Sequence, residues 1–141
     1  MKKIIFFLFL VFITRNLLAQ DLTQGLWYNE KKSAKVQFYQ QGDKLFGKIV
    51  WLKDPLLNGK PKVDKSNPDA ALAAKPLLGL VFMKGFSKTE KNIWEQGTIY
   101  DPENGKTYQC KLTIISSTQL DVRGFIGFSI MGRTSHFTKA D

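Results

Sequence analysis

The feature that most constrains this chain is a succession of short alternating apolar and polar runs, each closed by turn residues, from about residue 25 to residue 138. Period-two alternation in runs of six to eleven residues is the signature of half-buried β-strands and cannot be satisfied by amphipathic helices. The runs are Gly25–Glu30, Lys35–Gln41, Lys44–Leu52, Gly79–Gly85, Ile93–Tyr100, Lys106–Ser116, Gln119–Gly127 and Ser129–Thr138. Gln41-Gly42-Asp43, Asp101-Pro102-Glu103-Asn104-Gly105 and Ser116 to Thr118 are tight reversals, so the strands that they join are antiparallel neighbours. About eight strands in sequential hairpins most readily close on themselves, because closure removes the exposed edges. The expected fold is therefore all-β: an antiparallel up-and-down barrel, with a two-sheet sandwich as the alternative.

Between Lys53 and Pro76 the alternation breaks, punctuated by Pro55, Gly59, Pro61, Pro68 and Pro76. One short helix is expected here, with Asn67 as N-cap, Pro68 at the first helical position, Asp69 at the positive end, and AALAAK ahead of the Pro76 stop. About two turns of helix cannot stand alone. The helix must lie over the mouth or side of the sheet, where Asn67 and Asp69 would cap a lid or a plug.

Residues 1–19 read differently. Lys2 and Lys3 precede an unbroken apolar run, Ile4 to Ile13, and a more polar exit ending at Ala19. That is the pattern of a secretory signal peptide cleaved before Gln20. The run would rise only about 15 Å as a helix, too short for a bilayer core of about 30 Å. Residues 20–141 are then expected to form a single exported domain, periplasmic or extracellular, with no transmembrane span and no cysteine directly after the apolar run for lipid attachment. Hydrophobic content of 43% and charged content of 23% are ordinary for a folded domain.

The leader holds three of the 21 basic residues and none of the 12 acids, so the remainder carries +6, as 16 Lys and two Arg. Scattered lysines read first as a solvated surface that keeps strand edges from pairing. An attraction to anionic lipid or glycan is the functional alternative. Nucleic acid is not expected as a partner, because arginine-rich base readers are missing. Cys110 is the only cysteine; it alternates in step with Tyr108, Leu112 and Ile114, as a small core residue would.

Catalytic and metal-binding residues are not expected. His136 is the only histidine, and neither a seryl elbow nor a cysteine pair accompanies it, so acyl-transfer and zinc chemistry lack parts. Asp64, Asp69, Asp101 and Glu103 could pair for glycoside hydrolysis or hold calcium, but their neighbours suit a cap and turns better. No cofactor is implied, and a carboxylate-pair hydrolase stays a minor alternative.

Both arginines after the leader, Arg123 and Arg133, lie near the C-terminus, and Gly25-Leu26-Trp27 opens the first strand. In a closed meander the first and last strands are neighbours, which predicts a guanidinium of Arg133 packed on the indole of Trp27 at the closed end. Arg123, out of phase with Leu120 and Val122, is expected to make a surface pair. Arg133→Ala should then lower the melting temperature more than Arg123→Ala.

The glycine and tryptophan of the first strand with an arginine on the last resemble the lipocalin and calycin barrels. A wider set of motifs resembles the DUF2147 family of exported bacterial proteins. The set runs through Gly25-Leu26-Trp27, Leu45-Phe46-Gly47-Lys48-Ile49, Asn67-Pro68-Asp69, Pro76-Leu77-Leu78-Gly79-Leu80, Gly97-Thr98-Ile99-Tyr100-Asp101-Pro102, Asn104-Gly105-Lys106-Thr107-Tyr108, Val122-Arg123-Gly124-Phe125-Ile126-Gly127 and Gly132-Arg133-Thr134. Phe137 stands where that family's tail usually has Trp. The resemblance implies a lipocalin-like barrel and brings no established activity. Within such a barrel Phe38, Trp51, Phe82, Trp94, Tyr100 and Tyr108 either line a cavity for a small apolar or ring-bearing ligand, or fill it.

Overall fold

A computed structural model describes residues 20–141; the signal-peptide reading of residues 1–19 lies outside the described residues. Ten strands and one helix follow in chain order: β1 (Trp27–Tyr28), β2 (Ala34–Gln41), β3 (Lys44–Leu52), β4 (Leu56–Leu57), β5 (Lys60–Pro61), α1 (Ala70–Ala73), β6 (Val81–Glu90), β7 (Ile93–Asp101), β8 (Lys106–Ile114), β9 (Gln119–Phe125) and β10 (Gly132–Lys139). Eight of the strands close into one barrel in the order β1-β10-β9-β8-β7-β6-β3-β2, and every pairing in it is antiparallel. The expected up-and-down barrel is therefore the observed one. β1 pairs with β10 through Trp27 opposite Lys139 and Tyr28 opposite Thr138.

The connections at the two ends differ. At one end the strands turn over at Gly42-Asp43, Lys91-Asn92 and residues 115–118. At the other lie the long segment from Lys53 to Leu80, the loop 102–105 and the loop 126–131. The long segment carries the β4/β5 hairpin, which turns at Asn58-Gly59 with both residues at positive φ, and the single-turn helix α1. Its N-cap is Asp69, whose Oδ1 accepts from the Ala71 N–H at 2.9 Å. Asn67 lies two residues upstream: its Oδ1 accepts from the Asp69 N–H, and its amide donates to Asp64. The cap thus falls two residues after the expected position.

Side chains at alternate positions point inward, and the short-turn end is filled. Leu45, Phe86, Leu112 and Leu120 are fully buried there, with Trp94, Ile114 and Trp27 beside them. Leu22, ahead of β1, is 2% exposed and belongs to the same core cluster as Trp27 and Ile114. Phe86 lies so close to β7 that a Cβ at Gly97 would sit 2.4 Å from its ring. Only glycine fits there. Strand β6 runs on to Glu90, past Gly85 where its alternation suggests a stop, because a bulge absorbs that residue: Leu45 pairs with Phe86 but Gly47 with Met83.

Candidate functional site: a cavity in the open half of the barrel

Above the floor made by Phe38, Met83 and Phe86, the long-loop half of the barrel is hollow. Its cavity, about 1780 Å³ including the mouth, opens to solvent. Its deep wall is apolar and comes from six different barrel strands: Val36 of β2, Ile49 of β3, Phe82 of β6, Ile99 of β7, Val122 of β9 and Phe137 of β10. Val36, Ile49, Val122 and Phe137 are inward because each alternates with an outward polar or half-exposed neighbour, and Phe82 is the extra residue of a bulge, where Gly47 pairs with Met83 but Lys48 with Val81. Gly124 of β9 also faces the cavity, and a Cβ built on it meets Ile99 at 3.6 Å and Tyr108 at 3.8 Å, ordinary contact distances. The cavity can accept a side chain at that point.

Polar groups gather at the mouth. Tyr100 and Tyr108 line it, while Ser135 lies deeper, opposite Val122 of the wall. The Tyr100 hydroxyl donates to Asp64 Oδ1 at 2.7 Å, while Asn67 Nδ2 donates to Asp64 Oδ2 at 2.9 Å. Asp64 is the one buried charged side chain among the described residues, 1% exposed. A buried carboxylate must be satisfied by donors, and these two occupy one oxygen each. The three residues therefore clasp the Lys53–Leu80 segment to the end of β7. Burial pushes the Tyr100 phenol up to about 12, with the hydrogen bond to Asp64 adding to it, so the phenol stays protonated as a donor. The loop 102–105 locks onto the same segment. A Cβ at Gly105, where φ is +72°, would come within 2.0 Å of the Ser66 carbonyl oxygen, so only glycine permits this approach. The Tyr108 hydroxyl accepts from Asn104 Nδ2 at 3.0 Å.

Of the six aromatic residues expected around a cavity, Phe82, Tyr100 and Tyr108 line it. Phe38 and Trp94 are instead packed into the filled half, 1% and 7% exposed. Trp51 is outside the barrel, edge-on to Tyr28 and beneath the Lys35 ammonium. The cause is a register shift: Val36 pairs with Ile49 but Lys35 with Trp51, so Val50 is an extra residue and the phase of β3 reverses after it.

The Trp27–Arg133 contact does not form. β1 and β10 are neighbours as expected, but their register sets Lys139 across from Trp27, and the Lys139 ammonium lies 4.7 Å from the ring centroid. It also donates to the Gln24 carbonyl. Burial draws this ammonium below the usual lysine value, opposed by the charge of Asp21. Arg133 is at the opposite end of β10, exposed, 3.5 Å from Glu30. Arg123 makes no ion pair among the described residues; its Nε donates to Ser129 O at 2.6 Å, Nη2 to Ile130 O at 3.2 Å and Nη1 to Thr134 Oγ1 at 2.9 Å. It holds the 126–131 loop, so its loss should cost more than that of Arg133, the reverse of the sequence expectation.

His136 Nδ1 donates to Asp121 Oδ1 at 2.7 Å on the outer surface, and neither residue lines the cavity. The hydrogen bond and charge of Asp121 raise the His136 pKa. Cys110 is buried between Gly97 and Gly124, and burial pushes its thiol up to about 12; it is an unreactive core residue. Sequence reasoning named Asp64 only as one of four acids and missed its pairing with Tyr100, 36 residues away; it also missed the aliphatic wall, which alternation marks as inward without marking its height.

A closed antiparallel barrel filled at one end and hollow at the other is a lipocalin-like cup. The solved structure of protein HP1028 from Helicobacter pylori, described as belonging to the lipocalin family, is similar: TM-score 0.76 and 25% identity, over 86% of this chain and 84% of that one. Residues 25–139 match the model of DUF2147, described as an uncharacterized protein conserved in bacteria, and the chain belongs to that family. No curated protein matches. No described helix is long and apolar enough to cross a membrane.

Proposed function

We propose that this protein is an exported, non-enzymatic binder of a small apolar or ring-bearing ligand in the bacterial envelope, with residues 1–19 as its export leader. One observation carries the reading: a hollow half-barrel whose wall is mainly aliphatic and aromatic and whose few polar groups gather mostly at the mouth. Small-molecule sites have that distribution, apolar area for affinity and a few fixed polar groups for orientation. The cavity with its vestibule exceeds the roughly 300–1,000 Å³ of an enclosed drug-sized pocket, which suits a ligand that leaves its polar end in the opening. Asp64 has no second carboxylate in hydrogen-bond contact, and both its oxygens are engaged by Tyr100 and Asn67. It supports the wall rather than acting as an acid or base.

The test uses anilinonaphthalene sulfonate, a ring-bearing dye that fluoresces in apolar surroundings. The wild-type protein should bind it saturably at one site, with long-chain fatty acid as a competitor. Gly124→Phe, which projects a ring into the cavity from a position with room for a Cβ, should weaken binding at least about tenfold, or 1.4 kcal/mol. Equal binding by a folded Gly124→Phe protein would refute the reading.

A further inference from the structure

The β9–β10 loop is the least protected apolar segment among the described residues. Ile126, Phe128, Ile130 and Met131 are 71%, 78%, 84% and 71% exposed, and no charged residue lies between Gly124 and Gly132. Exposed apolar side chains scattered singly need no explanation, whereas four within six residues do. The exposure is built in. Arg123 takes the carbonyls of Ser129 and Ile130, and the Met131 N–H donates to the Phe128 carbonyl at 3.0 Å. The loop's polar backbone is thereby engaged while its side chains stand out to solvent.

Ile126 and Met131 belong to the rim of the cavity, and the same rim holds Leu57, Lys60, Lys62, Lys65, Lys31 and Arg133. Its acids are Glu30, Asp54, Asp101 and Glu103. Glu30 meets Arg133 and Glu103 meets Lys31, and Asp101 accepts from the Glu103 N–H. Lys60, Lys62 and Lys65 have no acidic partner among the described residues. The mouth end thus combines an uncharged apolar prong with three unpaired ammonium groups, the combination that holds proteins at an anionic bilayer surface: side chains enter the acyl boundary and cations meet the headgroups.

We propose that the 126–131 loop inserts into the surface of an anionic lipid bilayer, with Lys60, Lys62 and Lys65 on the headgroups, so that the cup docks with its mouth toward the membrane. A membrane fits better than a second copy of the chain, because the prong is a narrow projection and the +6 charge of residues 20–141 repels a like copy. The inference goes beyond the cavity reading and stands on the loop and lysines alone. If both hold, an apolar ligand passes from bilayer to cavity without crossing water.

The experiment is vesicle flotation of the chain from Gln20 to Asp141, with phosphatidylcholine vesicles with and without phosphatidylglycerol. Phosphatidylglycerol should increase binding, and salt should reverse the increase. Phe128→Ser with Ile130→Ser should weaken binding at least about tenfold without changing dye binding in solution or the melting temperature. Lys60→Gln, Lys62→Gln and Lys65→Gln together should remove the phosphatidylglycerol dependence. Gly124→Phe should lose the dye and keep the vesicles, which separates failure of one reading from failure of the other. The proposal is overturned if the wild-type chain does not float with phosphatidylglycerol vesicles, if the serine variant floats equally well, or if sedimentation shows a dimer that the serine changes dissociate.

Discussion

The two halves of this barrel are made by the same strands and do different things. In the short-turn half the inward positions carry Leu45, Phe86, Trp94, Leu112 and Leu120, and ring and methyl groups meet across the axis with no space between them. In the long-loop half Phe82 and Phe137 stand among Val36, Ile49, Ile99, Val122 and Gly124, smaller residues that leave the span open. The difference teaches that a hollow in a closed sheet needs no change of topology. Smaller inward residues at one height suffice, provided that the other half supplies the stability.

The sharpest way to break this comparison is a matched pair of truncations in β6. Phe86→Ala empties a packed site and should cost about 3–5 kcal/mol. Phe82→Ala, at the wall of an existing cavity, loses only its transfer term and should cost about 1–2 kcal/mol. Chemical denaturation of both variants checks this; equal costs would mean that the two halves are packed alike.

Next in size is Tyr100→Phe, which removes one of the two donors to buried Asp64. It should cost about 1–3 kcal/mol and loosen the Lys53–Leu80 segment. Hydrogen exchange should show faster exchange at Asp64 and Leu77, whose N–H groups donate to Lys75 O and Lys62 O. Unchanged protection there would mean that the clasp does not hold the mouth wall.

A smaller effect compares the two ends of β10. Lys139→Ala removes a cation from the face of Trp27 and a donor from Gln24, and should cost about 1 kcal/mol. Arg133→Ala, at an exposed pair, should cost a few tenths at most, about 0–0.5 kcal/mol. If Arg133→Ala were the more damaging by thermal denaturation, the base would not be sealed by Lys139.

The smallest effect is one of pH, at the outer surface. Since Asp121 raises the His136 pKa in the folded state, the folded protein binds that proton more tightly than the unfolded chain. The contribution is therefore full below the unfolded value of about 6.5 and is lost as pH rises through the folded value. The difference in melting temperature between wild type and His136→Gln should be larger at low pH and vanish in alkali. A difference that grows with pH would have the wrong sign.

These contrasts also explain what the sequence makes legible. Alternation along Lys106–Ile114 and Gln119–Phe125, with tight turns between strands, is local information, and it is enough for the barrel and its strand order. Height within the barrel is not local. Phe38 and Phe82 have the same inward phase, but one lies in the floor and the other in the wall, which depends on the stagger of neighbouring strands. Trp51 shows how one inserted residue, Val50, defeats a phase argument. Trp27 shows the limit at closure: that β1 meets β10 follows from topology, but no turn joins them, so nothing in the chain specifies Lys139 rather than Arg133 as the facing cation. Ile126 and Gly127 read as the end of one strand and Ser129 to Met131 as the start of the next, but pairing stops at Phe125 and resumes only at Gly132.

The claim beneath all of these is that the open half is hollow in order to be occupied. Native mass spectrometry of the protein purified from its own host tests it most directly. The wild-type chain should carry a small-molecule adduct that organic solvent removes, and Gly124→Phe should be free of it. A wild-type protein of bare polypeptide mass, or the same adduct on both proteins, would contradict the account.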